Sequence, residues 1–144
     1  MKILVINGPN LNMLGIREPE IYGKMTLTDM NAIILREAEK LGINLDFFQS
    51  NHEGDLIDTI QQCYGNTDGI IINPGAYSHY SYAIRDAISS VSIPTVEVHL
   101  SDISSREYFR RTSVIEDVAE RQISGKGIDS YIEALHYLYA KGNK

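Results

Sequence analysis

The stretch Ile3-Leu4-Val5-Ile6-Asn7-Gly8-Pro9-Asn10-Leu11-Asn12-Met13-Leu14-Gly15-Ile16-Arg17-Glu18-Pro19-Glu20-Ile21-Tyr22-Gly23 decides the fold. Ile3 to Ile6 is a continuous apolar run rich in β-branched residues, which reads as a buried strand. The strand runs directly into three glycines, two prolines and three asparagines, so the backbone turns sharply and stays irregular. Loops of this length inside a compact domain are uncommon and are usually functional or disordered. Leu11, Met13, Leu14, Ile16 and Ile21 are too many apolar groups for a linker. The loop also carries Arg17 and Tyr22. They are either chance residues of a packed surface loop or a tuned pair.

Outward from that stretch, the chain alternates. Thr26 and Asp29 form a short variant of the capping box. Leu27, Met30, Ile34, Ala38 and Leu41 then recur at helical spacing, and Gly42 ends the helix. Ile43 to Phe48 reads as a second strand. Leu56, Ile57, Ile60 and Tyr64 mark a second helix that stops near Gly65-Asn66. Gly69 to Ile72 is a third strand, and Ile84, Ala87, Ile88 and Val91 form one face of a third helix. Pro94 to Val98 is a fourth strand with proline at its first residue, where it is tolerated. Residues 104–111 predict a short helix and residues 118–124 a weaker fifth strand. Ile128, Tyr131, Ile132, Leu135 and Leu138 predict a last helix, followed by a tail, Gly142-Asn143-Lys144, expected to fray. Five strand–helix alternations imply a parallel sheet covered on both faces, with right-handed crossovers. At this length they suggest a flavodoxin-like three-layer α/β sandwich with strand order 2-1-3-4-5.

Composition narrows the function. A chain of 144 residues fits one domain, residues 1–144, with a core that needs no disulfide or metal. A net charge of −6 argues against a nucleic-acid or anionic-membrane partner. Cys63 is the only cysteine, which leaves no intrachain disulfide and no cysteine-based metal cluster; it reads as a small buried apolar residue. No apolar run approaches the ~18–20 residues that cross a bilayer. Met1 to Asn7 is too short for a signal sequence, so a cytoplasmic protein is expected.

Ligands of an open parallel sheet bind outside the carboxyl ends of its strands. Those ends carry Asn7 to Asn10, then Ser50, Asn51 and His52, then Asn73, Gly75 and His79, then Glu97, His99 and Ser101. Three of the four histidines therefore gather on one edge, and His136 lies apart in the last helix. Glu97 and His99 are two residues apart in a strand and point to one face. A carboxylate there fixes the imidazole tautomer and raises its pKa, as a general acid near neutral pH requires. A purely structural ion pair has the same pattern. His79 stands at the apparent start of the third helix, as a ligand contact or as a residue facing water. His52-Glu53 reads as an N-cap region. No HxxxH or HxH pattern supports a metal site, no GxxxxGK[ST] or GxGxxG follows a strand, and no GxSxG elbow occurs.

A phenol with pKa ~10 is a poor base at neutral pH, and a neighbouring guanidinium lowers it by ~1–3 units. Arg17 stays charged throughout. Gly15 and Gly23 bracket the pair and could let the segment close as a lid. A base on a lid, a histidine acid on the fourth strand and neutral amides such as Asn10 suit proton abstraction beside a carbonyl, with pre-placed donors for the enolate.

Several longer motifs occur together: Asn7-Gly8-Pro9-Asn10-Leu11, Leu14-Gly15-Ile16-Arg17-Glu18-Pro19, Tyr22-Gly23, Gln49-Ser50-Asn51-His52-Glu53-Gly54, Ile72-Asn73-Pro74-Gly75-Ala76-Tyr77-Ser78-His79, Arg85-Asp86-Ala87, Glu97-Val98-His99-Leu100-Ser101, Arg106-Glu107 and Phe109-Arg110. In this order they resemble the type II 3-dehydroquinate dehydratase family over nearly the whole chain. The resemblance implies a hydro-lyase that interconverts 3-dehydroquinate and 3-dehydroshikimate by trans dehydration through an enolate, without metal, Schiff base or other cofactor. The expected setting is the shikimate pathway of aromatic amino acid biosynthesis. The same reaction in quinate catabolism is one alternative, and a non-catalytic small-acid-binding module is another.

By the same resemblance Tyr22 is the proton acceptor, Arg17 its activator, and His99 the proton donor supported by Glu97. Asn10 holds a water near the enolate oxygen. Asn73, His79 and Arg110 contact substrate hydroxyls, and Leu100 and Ser101 bind the carboxylate largely through backbone N–H groups. Asp86 reaches a neighbouring subunit's site in a homo-dodecamer, a tetramer of trimers. One departure is visible: Ser101-Asp102 stands where the family usually has Ser-Asn. Asp102 is expected to point away from the carboxylate and to cap the helix at Ser104.

Overall fold

The computed structural model describes residues 1–143, with the side chain of Tyr22 outside the described set. Five strands run through it: β1 (Lys2–Asn7), β2 (Asn44–Gln49), β3 (Gly69–Asn73), β4 (Thr95–His99) and β5 (Arg121–Ser124). Between them lie α1 (Pro19–Tyr22), a single turn, α2 (Leu27–Lys40), α3 (Glu53–Gln62) and α4 (Tyr82–Val91), and α5 (Asp129–Gly142) follows β5. The sheet order is β2-β1-β3-β4-β5, and every pairing is parallel. This is the flavodoxin-like α/β order expected from the alternation. Lys144, in the tail expected to fray, lies outside the described residues.

The two-residue period of a strand sorts its side chains between two cores. Ile3 and Val5 of β1 and Ile71 of β3 pack with Met30, Ile34 and Ala38 of α2 and with Tyr131, Leu135 and Leu138 of α5. Ile6 of β1 and Ile70 and Ile72 of β3 pack with Leu56 and Ile60 of α3 and with Ile84 and Ile88 of α4. Each fully buried Leu or Ile of this kind is worth ~1.5–3 kcal/mol in area burial. In β4, Val96 and Val98 enter the α2/α5 core. Alternation then turns Glu97 and His99 together to the opposite face, as expected. Cys63 is buried against α3 and α4, and burial pushes its thiol pKa up.

The capping box forms as read: Thr26 Oγ1 accepts from the Asp29 amide at 3.1 Å, and Asp29 Oδ2 accepts from the Thr26 amide at 3.1 Å. Several boundaries differ from expectation. Strand β4 begins at Thr95 and includes His99; Pro94 precedes it and supplies its carbonyl to the Ile70 amide. Strand β5 is reduced to residues 121–124, because residues 115–119 close a turn instead. The short helix over 104–111 is two separate 3-10 turns, Ile103–Ser105 and Tyr108–Arg111. His79 does not open the third helix. It closes a 3-10 turn (Gly75–His79), and Ser81 is the N-cap of α4, accepting from the Ile84 amide at 3.1 Å. Among the described residues no helix is long and apolar enough to cross a membrane.

Candidate active site

The carboxyl ends of β1, β3 and β4 converge on a cleft of about 100 Å³. Its first wall is the loop after β1. A left-handed backbone at Asn10, φ 70°, turns the chain into a 3-10 turn, Leu11–Met13. The Asn10 amide donates to Asn51 Oδ1 at 3.0 Å, and Gln49 Nε2 donates to the Gly8 carbonyl at 3.2 Å. The end of β2 thus pins this loop without itself lining the cleft. Gly8 lies against the β3 loop so closely that a Cβ there would stand 2.6 Å from the Pro74 carbonyl oxygen.

The second wall comes from β3. Asn7 and Asn73 are register partners, and both are nearly fully buried. Tyr131 Oη, reaching up from α5, donates to Asn7 Oδ1 at 2.6 Å and accepts from Asn73 Nδ2 at 2.9 Å. Asn73 Oδ1 takes the Gly75 amide at 3.1 Å. These bonds fix which way the Asn73 amide faces, with its second N–H left for a ligand. Burial pushes the Tyr131 pKa far above that of a free phenol, so it serves here as a neutral hydroxyl.

The third wall is the end of β4. His99 Nε2 lies 2.5 Å from Glu97 Oε2, with Glu97 0% and His99 5% exposed. Glu97 also receives the Ser113 hydroxyl, at 2.7 Å from Oε2 and 2.9 Å from Oε1. With Nε2 committed to Glu97, Nδ1 is the His99 nitrogen available to a molecule in the cleft. His79 faces the same cleft, and its Nδ1 is 2.8 Å from the Thr112 carbonyl oxygen. A carbonyl only accepts, so Nδ1 carries a proton and Nε2 is the acceptor of the neutral ring. Burial lowers the His79 pKa, which favours that neutral form.

Arg17, Arg106 and Arg110 line the rest of the opening. Glu18 Oε2 bridges two of them, at 3.6 Å from Arg17 Nε and 3.5 Å from Arg106 Nη2. Arg110 Nε is held by Glu107 Oε2 at 2.5 Å. Three guanidinium groups at one opening of a chain with net charge −6 favour an anionic ligand.

Most residues expected at the site are brought together: Asn10, Arg17, Asn73, His79, His99, Leu100, Ser101 and Arg110 line the cleft, and Glu97 lies behind His99. The Leu100 and Ser101 carbonyls accept from Gly127 and Gly125 at 3.0 and 3.1 Å, which anchors this corner. Asp102 turns away as expected, with Oδ1 accepting from the Ser104 amide at 3.0 Å. The side chain of Tyr22 lies outside the described residues. Asp86 is exposed on α4 and does not line this cleft. His52 is the N-cap residue of α3 and also stays outside it. His136 pairs with Glu37 at 2.8 Å on the surface. Among the described residues no group of three or more His, Cys, Asp or Glu is placed to hold a metal ion.

Three contributors escape a reading of the sequence. Tyr131 has the helical spacing of a core residue, and its hydroxyl role is invisible there. Ser113 belongs to no periodic pattern. Arg106 stands in the Arg106-Glu107 motif, which by itself assigns it no role.

Fold and site together define a flavodoxin-like α/β protein with a buried carboxylate–histidine pair at the mouth of an arginine-lined cleft, equipped for proton transfer to an anionic small molecule. Residues 1–139 match the family model "Dehydroquinase class II". The chain is 59% identical over 138 residues to a 3-dehydroquinate dehydratase of Caldicellulosiruptor bescii, covering 95% of each chain. It is 56% identical over 138 residues to that of Bacillus subtilis, covering 96% of this chain and 93% of the other. The crystal structure of a type II dehydroquinase from Butyrivibrio crossotus superposes with a TM-score of 0.94 at 55% identity, covering 96% of this chain and 97% of that one. The chain belongs to the class II dehydroquinase family.

Proposed function

We propose that this chain is a hydro-lyase that interconverts 3-dehydroquinate and 3-dehydroshikimate by trans dehydration through an enolate, in the shikimate pathway. The observation that carries the reading is the buried Glu97–His99 pair, 2.5 Å apart, at a cleft lined by Arg17, Arg106 and Arg110.

In the forward direction a base removes a proton from the carbon beside the substrate ketone. The electron pair moves onto the ketone oxygen, giving the enolate. Tyr22 is the base in this reading, ionised with the help of the Arg17 charge. Asn10, at the loop wall, holds a water at the enolate oxygen. The enolate then re-forms the ketone and expels the hydroxyl group two carbons away, which leaves as water after taking a proton from His99. Glu97 holds the imidazole by Nε2, so the acid proton is delivered from Nδ1. His79 Nε2 and Asn73 Nδ2 suit hydrogen bonds to substrate hydroxyls, one accepting and one donating, and Arg110 adds a further donor. The amides of Leu100 and Ser101 take the carboxylate, within the field of the arginines.

The same reading covers the setting of the enzyme: one catalytic domain over residues 1–144, in the cytoplasm, without a cofactor. It assembles as a homo-dodecamer in which Asp86 serves a neighbouring subunit. Exposure of Asp86 on α4, away from its own cleft, supports that assignment.

The test is direct. Purified protein is mixed with 3-dehydroquinate, and ultraviolet absorbance of the conjugated enone product is followed. Absorbance that rises without added metal is expected. No rise, with or without metal, contradicts the assignment.

A further inference from the structure

Ser113 sits in a short extended stretch, Thr112-Ser113-Val114, that no motif singles out. Three contacts hold that stretch over the site. The Val114 amide donates to the Ser78 carbonyl at 2.8 Å, and Arg85 Nη1 donates to the Val114 carbonyl at 2.8 Å. Arg85 is itself ion-paired with Asp117. Thr112 offers its carbonyl to His79. Between them the Ser113 hydroxyl lies within hydrogen-bond distance of both oxygens of Glu97. The Ile115 amide donates to Ser113 Oγ at 3.2 Å, which aims the hydroxyl proton away from itself and toward the carboxylate.

We propose that Ser113 is a positioning residue for proton donation by His99, acting through the Glu97 carboxylate. The inference rests on the reading of His99 as the proton donor. Glu97 is fully buried, so its charge is held by the bonds it receives, from the His99 ring and the Ser113 hydroxyl. The remaining charged or titratable groups facing the pair are His79 from the turn before α4 and Arg110 from the turn after β4, with Arg17 and Arg106 across the cleft. Gln122 is the β5 register partner of Glu97 and carries no charge. Helices α3 and α4 present apolar side chains, Ile60 and Ile84 among them, to this face of the sheet. Ser113 therefore shares the carboxylate with His99, and its removal leaves the histidine as the main partner. A carboxylate that loses one donor becomes more basic and holds the shared proton more tightly. The pair then releases its proton at higher pH and is a weaker acid toward the leaving group.

The experiment compares Ser113→Ala, Ser113→Cys and Ser113→Thr with the unaltered enzyme. Turnover is followed against pH, and the His99 imidazole is titrated by NMR without substrate. Ser113→Ala is expected to lower kcat about tenfold with little change in KM, the size of one lost charge-assisted hydrogen bond. It should move the alkaline limb of kcat and the His99 titration upward together. Ser113→Cys, a weak donor of similar size, should fall between, and Ser113→Thr should restore the original limb. A folded Ser113→Ala or Ser113→Cys enzyme with unchanged limb and unchanged titration overturns the proposal. His99→Ala, run in parallel, keeps the two readings apart. Full activity in that variant refutes His99 as donor and with it the catalytic role of Ser113. Loss of activity there with a wild-type Ser113→Ala enzyme refutes the Ser113 role alone.

Discussion

His79 Nδ1 lies 2.8 Å from the carbonyl oxygen of Thr112, and this contact assigns the ring's other nitrogen to the cleft as an acceptor. The ring is neutral in that role. Burial depresses its pKa below the ordinary ~6.5, so at a pH between the depressed and ordinary values the unfolded chain binds a proton that the native chain does not. Above the ordinary value both states are neutral and His79 costs nothing. As pH falls through it the native state loses stability, and the loss is complete below the depressed value. His79→Gln keeps an acceptor and removes the titration. The difference in unfolding midpoint between pH 7.5 and pH 5.5 should therefore shrink in His79→Gln, as read by urea denaturation; an unchanged difference contradicts this.

Tyr131 joins the ends of β1 and β3 through one hydroxyl. Tyr131→Phe leaves Asn7 Oδ1 and Asn73 Nδ2 without that partner in a buried position, at a cost of ~1–3 kcal/mol. The freed Asn73 amide should also bind substrate less well. The expected outcome is a lower urea midpoint and a KM raised more than kcat is lowered. Wild-type values for both stability and KM would count against the network.

Gly8 is where the loops of β1 and β3 meet, and its amide donates to the Asn73 carbonyl at 2.8 Å. Gly8→Ala drives a Cβ into the Pro74 backbone, with the carbonyl carbon at 2.7 Å, and backbone on both sides must move. A destabilisation of ~1–3 kcal/mol is expected, with a loss of kcat because the cleft walls shift. Thermal unfolding and steady-state kinetics on the same preparation check both.

Arg17 lines the cleft, and its proposed task is to ionise the phenol of Tyr22. Arg17→Ala removes a fixed positive charge beside the proposed base, so the pH optimum should move upward as the rate falls. A pH–rate profile that drops without moving would reduce Arg17 to holding the loop.

The layer architecture was legible because β1 and β3 are apolar runs bounded by turn residues and the longer helices have a clear apolar face, whereas β5, with Ile123 its one buried apolar residue, gave the weakest signal. Strand β1, with Ile3, Val5 and Ile6 at 0% exposure, is the plainest case. The Glu97–His99 contact followed from strand periodicity alone. What lay hidden depends on chain folded back from elsewhere. The stretch 112–114 has no period, yet it supplies the partner of His79 and a partner of the Glu97 carboxylate that holds His99. His79 read as a helix start because polar residues precede an apolar face, whereas a 3-10 turn intervenes and Ser81 does the capping. Residues 104–111 break into two turns because Arg106 and Glu107 take extended or bent backbone between them.

Substitution of Tyr22 by Phe tests the central claim most directly, because it deletes one hydroxyl from the proposed base. Turnover of 3-dehydroquinate is measured by enone absorbance, with circular dichroism confirming the fold. The account predicts a folded protein with turnover abolished. A folded Tyr22→Phe variant with near-normal activity would contradict it.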